Sequence, residues 1–196
     1  MFTINPCAAG CGRPAITGYN LCFVHQANPE QAYNHICNYI EKNISIKDMI
    51  VSGMRFENID FSNHHLYGCN FKETSFYGCN FSGVKIRMSF FDFSAFVNCD
   101  FSKSDIQFLS FAGASFHGCN FAGSEIVHVN FEGASIFNSS FNNSNLYNSR
   151  FIKADLLNTP IMNCNLKRVH FAGAKLEDII FKSSNTAEAV FEMEEK

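Results

Sequence analysis

The chain has 196 residues, with 46% hydrophobic and only 17% charged side chains, which excludes a disordered polymer and fits one ordinary domain with a small appendage. It carries 23 Phe, no Trp and 9 Cys, the mark of one side-chain type reused at equivalent sites. The net charge of −3 arises in the last eleven residues: positions 1–43 sum to zero and positions 44–185 hold 12 basic and 12 acidic residues. A neutral body gives little long-range attraction for DNA or an anionic membrane, so neither is expected as a partner.

The opening MFTINPCAAG has no basic region followed by an apolar run, and no stretch approaches the roughly 18 apolar residues a spanning helix needs. With an odd number of cysteines, reduced thiols and a cytoplasmic setting are expected. The first recognisable motif is CAAGCGRPAITGYNLCFVH, which reads Cys-x3-Cys-x10-Cys-x2-His. A Gly-rich knuckle and a Cys-x2-His pair on a turn can converge on one tetrahedral ion, and three thiolates with one imidazole suit zinc. The segment is similar to treble-clef-like zinc fingers. That resemblance places Cys7, Cys11, Cys22 and His25 at the ligand positions, with Arg13, Pro14 and Leu21 as supporting matches. The spacing leaves His35 and Cys37 as alternatives for the fourth ligand.

Asn28-Pro29 is a helix start, with Asn28 as cap and Pro29 in the first turn, and the helix is expected to run to about Lys42. Tyr33, Ile36, Cys37 and Ile40 share one face of it. Residues 1–43 are therefore expected to form a zinc-binding knuckle with a helix that covers one end of the downstream domain.

From Ile46 to Phe181 every fifth residue, 28 positions in all, is Phe, Ile, Leu or Val, and sixteen of them are Phe. Neither the helical period of 3.6 nor the strand period of 2 explains this. Between His64 and Ile179, 21 of the 24 positions lying two residues earlier are Ala, Ser, Cys, Thr or Val. Alternating large and small side chains fill a narrow core without voids. Gly or Asn recurs two residues after the large position, where a left-handed backbone is tolerated.

Segments such as CNFKE, CNFSG, ASFHG, CNFAG, ASIFN and ADLLN resemble the pentapeptide-repeat family. The resemblance spans residues 44–185 and implies an all-β fold, a right-handed quadrilateral β-helix with four pentapeptides per coil and about seven coils. Residues 186–196 form an acidic C-terminal segment, and whether two rods join as a homodimer through the C-terminal coil is left open by the sequence. At a spacing of 20, one column is wholly aliphatic (Ile46, Leu66, Ile86, Ile106, Ile126, Leu146, Leu166) and its neighbour is Phe after Val51. Such segregation by face is expected if like residues stack. Seven coils at about 4.8 Å give a rod roughly 34 Å long.

A filled core leaves no concave site, and the histidines lack acidic or nucleophilic partners at triad-like positions, so catalysis is not expected. Binding is. Met88 and Phe108 stack at outward positions, Phe90 and Phe93 put aromatics where polar residues belong, and Tyr77, Phe137 and Tyr147 stand in other outward columns. Clustered exposed aromatics mark interfaces, here with a protein partner. The expected function is that of a rigid binding scaffold. The alternative is a DNA-mimicking modulator of a type II topoisomerase (gyrase), as in the quinolone-resistance members of the family, although those are generally acidic and this body is charge-balanced.

Overall fold

A computed structural model describes residues 4–192. Glu194, Glu195 and Lys196 of the acidic tail lie outside the described residues. Among the described residues no helix is long and apolar enough to cross a membrane.

The chain winds into a parallel β-solenoid whose repeat is 20 residues, four pentapeptides making four sides. On the first side β1 (Ser45–Lys47), β3 (His65–Tyr67), β5 (Lys85–Arg87), β7 (Asp105–Gln107) and β9 (Glu125–Val127) form a five-stranded parallel sheet. The third side is a seven-stranded parallel sheet of β2 (Arg55–Glu57), β4 (Ser75–Tyr77), β6 (Ala95–Val97), β8 (Ser115–His117), β10 (Ser135–Phe137), β11 (Asp155–Leu157) and β12 (Lys175–Glu177). Registers advance by twenty throughout, as in Ile86↔Ile106 and Phe96↔Phe116. The second and fourth sides are laddered through single bridges such as Phe90↔Ser110 and Asp100↔Asn120.

The corners alternate in kind, which the uniform period of five does not disclose. Between the second and third sides a β-turn closes, with Met54 N–H donating to Val51 O at 3.2 Å around Ser52-Gly53. Its third residue has positive φ, the signature of a type II turn. The corner between the first and second sides also takes one left-handed residue, Asp48 and then every twentieth position after it. There the backbone N–H reaches outward along the rod, as Asp48 N–H does to Tyr67 O at 2.9 Å. The Gly and Asn recurrence reflects this demand.

Inside, the large positions stack. Phe61, Phe81, Phe101, Phe121 and Phe141 form one column with ring centroids 4.6–4.8 Å apart and planes within 8° of parallel. Offset stacking at that spacing adds to plain area burial. The small positions satisfy the polar backbone of the interior: Ser94, Ser124 and Ser144 hydroxyls donate to carbonyls of the preceding coil at 2.6–2.7 Å. Cys79, Cys99 and Cys119 stand in the same role, each thiol facing a carbonyl of the coil before it. No buried side-chain nitrogen or oxygen among the described residues lacks a partner.

One end of the rod is covered. Helix α1 (Pro29–Lys42) starts with Asn28 Oδ1 accepting from Gln31 N–H at 3.0 Å and buries Ala32, Ile36 and Ile40. Tyr33 packs on Phe56 with centroids 5.9 Å apart. His64, alone among the small positions in being an imidazole, reaches the Ile40 carbonyl with Nε2 at 3.0 Å. At the other end Phe191 continues the second-side column by stacking on Phe171 at 5.2 Å.

Candidate metal centre and binding face

The N-terminal segment folds as two small loops and a short helical turn. Pro6 pairs antiparallel with Pro14, and Cys7 N–H donates to Arg13 O at 2.9 Å, which closes the knuckle around Gly10 and Gly12, both at positive φ. Ile16 and Leu21 close the second loop, and a 3-10 turn at Phe23–His25 follows Cys22. These loops bring Cys7, Cys11, Cys22 and His25 together, with all four ligand atoms within 4.8 Å of one another. The Cys7 Sγ–His25 Nδ1 distance is 3.4 Å, Cys22 Sγ–His25 Nδ1 is 3.5 Å and Cys11 Sγ–Cys22 Sγ is 3.7 Å. Three sulfurs and one nitrogen so arranged can hold a metal ion.

A backbone hydrogen bond from Cys22, with His25 and Ala9 adding to it, pulls the Cys7 thiol down to about 6, whereas burial pushes Cys22 up. The two alternatives for the fourth ligand are elsewhere. His35 meets Tyr19 edge-on at 5.8 Å, and Cys37 is half-buried on α1 with its thiol pushed up by burial.

The knuckle is bonded to the solenoid. Thr17 N–H donates to Ile50 O at 2.9 Å, and Ile50 N–H donates back to Thr17 Oγ1 at 2.8 Å, extending the second side by one rung. Between knuckle and rod lies a cleft of about 300 Å³ lined by Arg13, Phe23 and Val24 on one wall and Ser52, Lys72 and Glu73 on the other. The sequence carries no sign of this cleft, because its walls are far apart along the chain.

The outward aromatics fall into two groups. Met88 and Phe108 are successive members of the corner column between first and second sides; Phe90 is on the second side; Phe93 is at the next corner. Together they border the second side in its third and fourth coils. They are exposed, Phe93 to 71% and Met88 to 58%. The Phe90 ring lies under Lys72 Nζ at 5.1 Å, and Lys72 pairs with Asp92 at 3.0 Å. Phe108 stacks on His128 at 4.9 Å, and Tyr147 meets His128 edge-on at 5.8 Å, so Tyr147 extends this group downwards. Tyr77 and Phe137 end strands of the third side and are not brought to the same surface. Tyr77 is half-buried, with the Arg55 guanidinium 3.9 Å above its ring.

Family models for the pentapeptide repeat match residues 50–126, as a pentapeptide repeat region, and 130–168, as eight repeat copies, together more than half of the chain. The chain belongs to the pentapeptide-repeat family. Among solved structures this pentapeptide-repeat protein is similar to HetL, a protein involved in heterocyst differentiation regulation in the cyanobacterium Nostoc, at 13% identity over 84% of this chain and 97% of that one, with a TM-score of 0.28. It is also similar to full-length QnrB1, a plasmid-mediated fluoroquinolone resistance protein, at 14% identity over 72% and 92% of the two chains, with a TM-score of 0.33. A pentapeptide-repeat protein of the Arabidopsis thaliana thylakoid lumen gives 27% identity over 52% and 68%, with a TM-score of 0.30. Comparison with curated proteins finds no match.

Proposed function

We propose that this pentapeptide-repeat protein is a non-enzymatic binding scaffold that presents the second side of its rod to a protein partner. The observation that carries the reading is backbone conformation. Phe93, Met88 and Phe108 sit at φ values of 58°, 48° and 54°. A left-handed residue other than Gly costs about 1–2 kcal/mol, and bulky side chains are the unfavourable choice there. Gly68 meets the same demand without strain in the column of Met88 and Phe108, and Gly53, Gly113 and Gly133 do so in that of Phe93. Of the nineteen described non-Gly residues with this conformation, only Met88, Phe93 and Phe108 are apolar, where the others are polar or charged, such as Glu73, Lys103 and Arg168; being exposed, the three add little to the core, which supports a use outside the fold. The charge-balanced body favours this reading over a DNA mimic, which needs a field of one sign.

For the knuckle we infer one structural zinc ion, held by Cys7, Cys11, Cys22 and His25 through Nδ1. In a tetrahedron with Zn–S of about 2.3 Å and Zn–N of about 2.0 Å, sulfur–sulfur edges are about 3.8 Å and sulfur–nitrogen edges about 3.5 Å. The distances of 3.7, 3.4 and 3.5 Å match. A closed four-ligand set supplies folding energy and leaves no position for substrate.

The test is affinity capture with wild type beside a Phe93→Asn, Phe108→Asn variant. Partners held by the wild type alone support the reading, and identical recovery overturns it. A gyrase supercoiling assay with micromolar protein separates the topoisomerase alternative, which requires an effect.

A further inference from the structure

We propose that the cleft between the knuckle and the second side takes an extended peptide segment of the partner, placing an acidic side chain on Arg13 and apolar side chains on Phe23 and Val24. This rests on the reading of the second side as the binding face and extends it to a place and a ligand chemistry.

The cleft is built from both parts of the chain. Cys22 lines it and is also a candidate metal ligand, and the next two residues, Phe23 and Val24, form its apolar wall before His25 returns to the ligand set. Val24 is 62% exposed and Phe23 is partly buried against the core, so Val24 is the part of the wall presented to solvent. Holding residues 22 and 25 on one ion fixes these two side chains between them. The opposite wall belongs to the corner between second and third sides, and Ser52, Lys72 and Glu73 stand in the same columns as Asp92 and Phe93 one coil further on. Phe93 is therefore the next member of Glu73's corner column, one coil beyond the cleft wall.

The charges select the ligand. Lys72 is satisfied by Asp92 and by the ring of Phe90. Arg13 and Glu73 take part in no ion pair among the described residues. A segment with an acidic residue for Arg13 and a basic one for Glu73, flanking an apolar residue, complements both. From the first coil to Phe93 is two coils, about 10 Å, which an extended chain covers in roughly three residues. A short linear segment lying on the corner at Gly53, in the cleft that Arg13 lines, thus reaches Phe93.

The probe is a phage-displayed random peptide library, panned on the full chain loaded with zinc. The best peptide, synthesised with a fluorophore, is then titrated by anisotropy. The expected result is an acidic–apolar pattern whose binding falls at least tenfold in Arg13→Glu and in Val24→Asp, both at exposed positions. Changing the peptide's acidic residue to Lys should restore binding to Arg13→Glu, and chelation of the ion should weaken it for the wild type. No enriched pattern, or peptides that bind Arg13→Glu and Val24→Asp as they bind the wild type, overturns the proposal. Loss in Phe93→Asn with full binding in Arg13→Glu would leave the binding face standing and remove the cleft. Loss in Arg13→Glu with full binding in Phe93→Asn would do the reverse.

Discussion

A Cβ atom at Gly113 would lie 2.6 Å from Cε1 of Phe93, so the glycine of one coil is the space into which the aromatic ring of the coil before it is laid. Gly113 also has φ of 63°, and it is the next member of Phe93's own corner column. Gly113→Ala should destabilise the rod by about 1 kcal/mol through the left-handed backbone and force the ring of Phe93 off its seat. Thermal unfolding reads the first effect. Partner capture reads the second, and it should weaken although no exposed side chain was removed.

Replacing Phe93 itself should act in the opposite sense on stability. Asn tolerates the left-handed region, so Phe93→Asn relieves strain of about 1–2 kcal/mol and loses little burial. The midpoint of thermal unfolding should stay or rise while capture of the partner falls. A drop of more than about 2 kcal/mol would mean the ring supports the fold.

Core columns give the contrast. Phe101 is fully buried, stacked at 4.6 Å on Phe81 and 4.8 Å on Phe121, and Phe101→Ala should lose about 3–5 kcal/mol in urea unfolding. Phe181, in the same column at the less covered end, is only partly buried, and Phe181→Ala should lose clearly less.

Thiol chemistry separates the two sets of cysteines. Cys7, held down to about 6, is largely thiolate at pH 7 in the metal-free chain, so its alkylation rate should climb through about pH 6 and be nearly level by pH 7. Burial pushes Cys69 up to about 11, and Cys99, whose largest upward influence is the neighbouring Cys119 thiol, up to about 12; both should stay unlabelled. Mass spectrometry after alkylation with and without a chelator should show Cys7, Cys11 and Cys22 protected together by the ion. Elemental analysis should find about one zinc per chain, lost in Cys22→Ser.

The repeat was legible because one residue in five is large and apolar through 28 successive repeats, and neither a period of 2 nor one of 3.6 puts Phe71, Phe76 and Phe81 on one face. The clustering of Cys7, Cys11, Cys22 and His25 was legible in part, since Cys-x2-His brings two donors together locally. Relations set by the winding alone could not be read: that Thr17 would bond Ile50, that Arg55 would lie over Tyr77, or that Val24 would face Lys72 across a cleft. His64 looked like an exception to the small-residue rule. It is one because the helix ends above it: the Ile40 carbonyl, which accepts Asn43 N–H at 3.3 Å, is also met by His64 Nε2 at 3.0 Å, a reach that Ser lacks and a group that Ala does not carry.

The twenty-residue register makes length and orientation separately adjustable. Excising residues 101–120 would shorten the shaft by one storey, about 4.8 Å, and leave every column above and below in line. Excising only residues 101–105 would swing everything downstream by a quarter turn, carrying the Phe108–His128 pair to a neighbouring wall while Met88, Phe90 and Phe93 stayed where they are. The number of pentapeptides thus decides which wall a side chain faces before it affects the fold.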